Sequence, residues 1–284
     1  MVLLTVMIIA LLVVLGLVCG SFVNAFVWRL HEQETLKEKK RKPSKKQLAE
    51  LSILKGRSMC PNCKHELAPK DLVPLFSWLW LRGRCRYCGK PISWQYPLVE
   101  AATAVLFVIS YIWWPMELTG LGVYQFVVWL GFCVMFMALT VYDLRWYLLP
   151  DKIVYPITVV GIVEVVVVAL GHHSVSDLWG PLLGALIIAG LFYILFQVSA
   201  GRWIGGGDVK LALLLGLLAG SPLKALLLIF ASSVIGTLIS VPLALKAGKD
   251  LKLKVPFGPF LLAATVVVVL FGTPIVDWYT LNLV

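Results

Sequence analysis

The chain has 284 residues, of which 60% are hydrophobic and only 14% charged, and its mean hydropathy is +0.90. One soluble core of this length cannot hide that much apolar surface, which excludes an ordinary water-soluble domain. The net charge of +10 is concentrated, because 16 of the 25 Lys and Arg residues lie between Arg29 and Lys90; topology accounts for such a block, and no nucleic-acid partner is expected.

A membrane-spanning helix needs about 20 predominantly apolar residues. The first run, residues 2–18, has no basic n-region and no small-x-small cleavage site, so it reads as a membrane helix and not as a signal peptide. Further runs follow, giving candidate spans over 3–28, 98–115, 122–142, 152–170, 179–199, 207–220, 222–245 and 257–273. The sixth is short for a full crossing. The connections alternate between basic and nearly neutral, and 24 of the 25 basic residues fall on one side, Lys224 being the exception. The positive-inside rule makes that side the cytoplasm and leaves both termini outside.

The expected fold is an all-α polytopic membrane protein of about eight transmembrane helices with one small zinc-knuckle cytoplasmic domain. Its organisation reads as a first helix over 1–30, a basic cytoplasmic domain over 31–97 and a seven-helix membrane domain over 98–284. Within the cytoplasmic domain, the Lys-rich stretch 36–46 has almost no apolar residues. It reads as a solvated arm, or as one that lies on anionic headgroups.

Cys60-Pro-Asn-Cys63 and Cys85-Arg-Tyr-Cys88 are two C-x2-C pairs separated by 21 residues. Each pair lets two thiolates of one tight turn face a common ion, and two such turns complete a tetrahedral site. A reducing cytoplasm disfavours two disulfides, so Cys60, Cys63, Cys85 and Cys88 are expected to hold a structural Zn2+. His65 is a bystander. Cys19 and Cys133 fall inside membrane helices and read as small buried apolar residues.

Carboxylates in the membrane portion are few and costly, which makes each informative. Asp143 closes the third span and Asp208 opens the sixth, directly after Gly205, Gly206 and Gly207. The 65 residues between them account for two crossings, which returns the chain to the same face. Two converging carboxylates can divide acid and base work on a scissile carbonyl, since like charges push their pKa values apart. The three glycines leave room for an extended substrate backbone. The plainer reading is that Asp143 and Asp208 cap helices or pair with Arg145 and Lys210, and the residues alone leave both readings open. Asp151 reads as a helix N-cap; Glu100 and Glu164 are lesser candidates.

The blocks together resemble the prepilin peptidases, or type IV leader peptidases, of the GxGD aspartic membrane proteases. Gly20-Ser-Phe-Val-Asn-Ala-Phe-Val-Trp-Arg-Leu30 is similar to the first-helix signature, and the cysteine region through Pro91-Ile-Ser-Trp-Gln-Tyr-Pro-Leu-Val-Glu100 to the cytoplasmic domain. Asp143 with Leu148-Leu-Pro-Asp151, Gly205-Gly-Gly-Asp208 and Pro256-Phe-Gly-Pro-Phe260 follow in the family's order. The resemblance implies an endopeptidase that removes the basic leader of prepilins or pseudopilins, with Asp143 and Asp208 catalytic. It also implies N-methylation of the new amino terminus with S-adenosylmethionine, for which the chain has no glycine-rich fingerprint. Rival expectations are a proton- or ion-coupled transporter, an inactive zinc-knuckle scaffold and a methyltransferase without peptidase activity.

Overall fold

The computed structural model of the chain describes residues 2–38, 44, 51–53, 56–247 and 255–283. Most of the Lys-rich arm, as well as Lys249, Lys252 and Lys254 of the last basic connection, lie outside the described residues. The helices are α1 (Val2–Glu38), α2 (Phe76–Trp80), α3 (Gln95–Ile112), α4 (Leu121–Trp146), α5 (Asp151–Gly171), α6 (Trp179–Ser199), α7 (Gly206–Ala219), α8 (Pro222–Ala247) and α9 (Gly258–Leu283). Extended structure among the described residues amounts to two isolated bridges, Met59 with Glu66 and Arg84 with Pro91. Among the described residues, seven helices are long and apolar enough to cross a bilayer, and α7, at 14 residues, is not one of them.

The chain divides into two compact units, Met1–Ile112 and Trp113–Val284. In the first, α1 packs along α3. Lipid is as apolar as leucine, so close approach of backbones, not burial from water, must hold such a pair. Gly16 and Gly20, one turn apart, provide it: a Cβ on Gly16 would lie 2.4 Å from Ala104 Cα, and one on Gly20 2.6 Å from Glu100 Cα. Next along α1, Asn24 donates to the Tyr96 carbonyl at 3.2 Å and accepts from Gln95 Nε2 at 3.1 Å.

Helix α1 runs ten residues past the expected end of its span, to Glu38. The apolar run stops there, but helix formation does not. Arg29 is buried and donates to the carbonyls of Ser52, Ile53 and Gly56, which satisfies a charge that hydropathy alone would place outside. Helix α9 likewise continues beyond Pro274 to Leu283, with Thr280 and Asn282 donating to the carbonyls of Asp277 and Trp278.

In the second unit the short α7 is central, packed by α5, α6, α8 and α9. Its Leu211, Leu214 and Leu215 are wholly buried. Contact with α6 is backbone on backbone: a Cβ on Gly216 would meet Ala185 Cα at 2.4 Å, and one on Gly184 the Gly216 carbonyl at 2.7 Å. This lock fixes the height at which α7 begins.

Candidate active site

Helix α4 ends because Tyr147 turns left-handed (φ 55°, ψ 38°) while its N–H closes on the Asp143 carbonyl at 2.8 Å. Pro150 then starts α5. Asp143 therefore sits in the last turn of α4, and it is buried. Its carboxylate accepts the backbone N–H of Gly258, the first residue of α9. A Cβ on Gly258 would lie 2.5 Å from Asp143 Oδ2.

Asp208 is the third residue of α7, whose N-cap is Gly205 in an extended conformation. Its carboxylate reaches back to the Gly205 N–H, one half of a capping box. Asp208 Oδ1 is buried with no hydrogen-bond partner among the described residues. A buried acceptor left so costs about 1–3 kcal/mol, the kind of cost found at functional sites. Asp143 and Asp208 are brought close enough for the charge of one to act on the other.

Each carboxylate thus lies at a helix N-terminus, Asp208 at its own and Asp143 at that of α9. The capping half of the plainer sequence reading is realised; the pairing half is not. Lys210 donates to both oxygens of Asp151, at 2.7 and 2.9 Å, and stands over the Tyr155 ring. Arg145 lies over the Trp146 ring. Asp151 is not an N-cap either: Pro150 holds that position without a side-chain bond, and Asp151 is the first helical residue. The long Lys210 side chain, one turn into α7, reaches across to α5 and takes it.

The three glycines divide their work. Gly205 is exposed and has only the Asp208 carboxylate beside it, 3.4 Å from a would-be Cβ. On Gly207 that Cβ would press on Leu149 Cβ at 3.0 Å, and Leu149 also lies 3.5 Å from one on Gly258. Leu149 is wedged between the two segments that carry the carboxylates' backbone donors, and Gly207 makes its room. Gly258 was named in the sequence only as part of a block; Asp143 as its partner had no sequence signal.

In the first unit, the Sγ atoms of Cys60, Cys63, Cys85 and Cys88 all lie within 4.8 Å of one another. The two turns repeat one hydrogen-bond pattern. Cys60 N–H donates to the His65 carbonyl and Lys64 N–H to that of Cys60; Cys85 N–H donates to the Lys90 carbonyl and Gly89 N–H to that of Cys85. Lys64 and Gly89, each four residues after the first cysteine, both have positive φ. The Lys90 backbone N–H lowers the Cys88 pKa, but burial and the neighbouring Cys85, Cys63 and Cys60 outweigh it and push the thiol up to about 11. Four crowded thiols suit a dication that takes them as thiolates, so the cluster fits zinc. His65 is outside the cluster and packs its ring, tilted, against that of Tyr87 at 3.7 Å.

Asp71 ties the second turn to the chain before α2. It accepts from Arg86 Nε at 2.7 Å and from the Tyr87 hydroxyl at 3.0 Å. Burial raises its pKa, but these bonds and the Arg86 charge outweigh that and hold the carboxyl below the usual range. Glu100, buried on α3, accepts the N–H of Leu75, a non-glycine at φ 60°, at 2.8 Å. Its place is structural, holding the segment before α2. Glu164 bonds to Tyr124, away from Asp143 and Asp208 along the chain.

A cavity of about 390 Å³ lies between α5, α6 and α7, lined by Tyr155, Thr158, Ala189, Tyr193, Val209 and Lys210 among others.

Two family models match the chain: the bacterial peptidase A24 N-terminal domain over residues 14–114 and the type IV leader peptidase family over residues 129–241. Curated relatives named prepilin leader peptidase/N-methyltransferase are similar over nearly the whole length. The one from Aeromonas hydrophila is 32% identical over 283 residues, covering 96% of this chain and 94% of the relative. Those from Xanthomonas campestris (34%, covering 93% and 92%) and Pseudomonas aeruginosa (31%, covering 94% and 91%) match similarly. No solved structure matches.

Proposed function

Since the chain belongs to the type IV leader peptidase family and is a multi-pass membrane peptidase, we propose that it is an aspartic endopeptidase whose dyad is Asp143 and Asp208. Its substrates are prepilin- or pseudopilin-like proteins, from which it removes the basic leader at the cytoplasmic face of the inner membrane. The observation that carries the mechanism is the convergence of two carboxylates from helices 65 residues apart, each on a helix N-terminus and neither paired with Arg145 or Lys210.

The pair works on one shared proton. The ionised carboxylate takes a proton from water as the oxygen attacks the scissile carbonyl, and the protonated partner donates to the carbonyl oxygen. Exposed Gly205 lets the extended substrate backbone approach Asp208. A transporter would place its carboxylates near mid-membrane; here they occupy the last turn of α4 and the first of α7, which supports the peptidase reading.

The relatives' names support a second activity, N-methylation of the new amino terminus. S-adenosylmethionine is the donor that the resemblance implies; no site for it is assigned, and no step is derived through it. Cys60, Cys63, Cys85 and Cys88 would hold zinc, which would cross-link the two turns as a structural ion.

The test is cleavage of a prepilin-type substrate in liposomes by wild type, Asp143→Ala and Asp208→Ala at matched folding. Cleavage before the hydrophobic stem by wild type alone is expected. If both variants still cut, the aspartates are helix-end structure and the mechanism is wrong.

A further inference from the structure

The first unit carries an apolar face that the peptidase reading does not use. Helix α2 is five residues long, and its side chains divide sharply. Phe76, Leu79 and Trp80 point outward, 67%, 62% and 84% exposed. These are positions i, i+3 and i+4, the stripe that a helix on a soluble domain turns inward. Trp78 points the other way: its ring lies 4.2 Å from that of Trp94, its Nε1 donates to the Ile92 carbonyl at 3.3 Å, and it fills the space beside Gly83.

Trp94 fixes where this face is. The Leu98 N–H closes on the Trp94 carbonyl, so Trp94 is the foot of α3. Trp94, Leu98, Val105 and Ile112 are all exposed and follow one side of the helix, the side that a spanning α3 presents to lipid. Trp78, packed on Trp94, therefore holds α2 at the level where that lipid-facing stripe begins. Tryptophan with an apolar body and a polar N–H is the residue of that level. Exposed Arg82 and Arg84 follow α2 directly, with Lys70 and Lys90 exposed nearby in sequence, all complementary to anionic headgroups.

We propose that α2 is an interfacial anchor: Phe76, Leu79 and Trp80 insert among the acyl chains of an anionic leaflet while Arg82 and Arg84 meet its headgroups, and Trp78 on Trp94 couples this seat to α3. The cysteine turns flanking α2 in the chain are thereby tethered, on the aqueous side of the leaflet, and do not swing free.

The experiment places a diazirine-bearing phenylalanine at position 80, and separately at 76, in the full chain reconstituted in phosphatidylglycerol-containing vesicles. Position 98 is the lipid-facing reference and exposed Asn62, in the first cysteine turn, the aqueous one. After illumination, lipid adducts at 80 and 76 are expected within about threefold of position 98 and at least about tenfold above position 62. In vesicles of phosphatidylcholine alone, the yield at 80 is expected to fall several-fold while that at 98 holds. Adduct yields at 80 and 76 no higher than at 62 would overturn the proposal. So would peptide adducts at 80 that replace the lipid ones when a prepilin-type substrate is added, since the face would then be a substrate groove. The readout involves no cleavage and stands apart from the aspartate assignment.

Discussion

Gly258→Ala is the sharpest perturbation of the dyad that leaves both carboxylates in place. Gly258 does not have a positive φ, so alanine fits the backbone and the effect is one of contact alone. The new Cβ would sit 2.5 Å from Asp143 Oδ2, with Leu149 Cδ2 at 3.5 Å behind it. Normal carbon–oxygen contact needs roughly 0.7 Å more, and close-packed surroundings do not give that freely. Asp143, only 5% exposed, cannot swing into open space, so either its carboxylate turns away or the first turn of α9 shifts. Both move the carboxylate away from the Gly258 N–H and the N-terminus of α9. A misplacement of this size at a reacting group costs about 100-fold in rate, or about 2.7 kcal/mol. The assay is leader cleavage in liposomes, with Gly131→Ala on the same helix as Asp143 as control, because nothing lies within 4 Å of that Cβ. The expected result is a fall of about 100-fold in kcat with little change in KM for Gly258→Ala, and near wild-type kinetics for the control. Wild-type kcat in Gly258→Ala would refute the reasoning that Asp143 works from this position.

Three further outcomes follow from the same geometry. Lys210→Met removes a half-exposed ion pair with Asp151, so unfolding should shift by less than about 1 kcal/mol and cleavage should survive; inactivation would mean that Lys210 serves Asp208 instead. Glu100→Ala leaves the Leu75 N–H without its acceptor and should destabilise the first unit by about 1–3 kcal/mol, read by thermal unfolding or hydrogen exchange, whereas Glu100→Gln keeps an acceptor and loses less. Metal analysis should find one zinc per chain, lost on Cys60→Ser together with protection of the cysteine turns from proteolysis, with peptide-bond cleavage less affected than by Asp143→Ala.

The sequence carried the membrane helices and the approach of Asp143 to Asp208, because both depend on quantities that are local or additive: apolar run length and the residue count between two crossings. The cysteine cluster was legible for the same reason, since spacing alone brings thiolates together. What it did not carry depends on contact between distant segments. The Gly16 and Gly20 approach to α3 had a weak signal in their four-residue spacing. The Gly216 approach to α6 and the Gly258 bond to Asp143 had none, since nothing in either segment names its partner. Helix α1 outran its expected end because Arg29 found three carbonyls, and hydropathy cannot see a satisfied charge. Asp151 and Lys210 find each other across 59 residues, a pairing that neither one's sequence neighbours record.

That exchange of partners bears on how two carboxylates can be held together at all. Close approach of like charges must be offset, and the obvious cations are engaged elsewhere, Lys210 by Asp151 and Arg145 by the Trp146 ring. The offset comes instead from backbone: the N-termini of α7 and α9, each carrying roughly half a positive charge and a donated N–H. Such a field suits acid–base work better than a salt bridge would. A lysine or arginine would fix one carboxylate as a permanent anion, whereas partial charges on backbone amides leave the proton free to pass between the two. At α9 the glycine follows from geometry, because a Cβ on Gly258 would lie 2.5 Å from Asp143 Oδ2, whereas at α7 a Cβ on Gly205 would meet the Asp208 carboxylate only at ordinary contact, 3.4 Å.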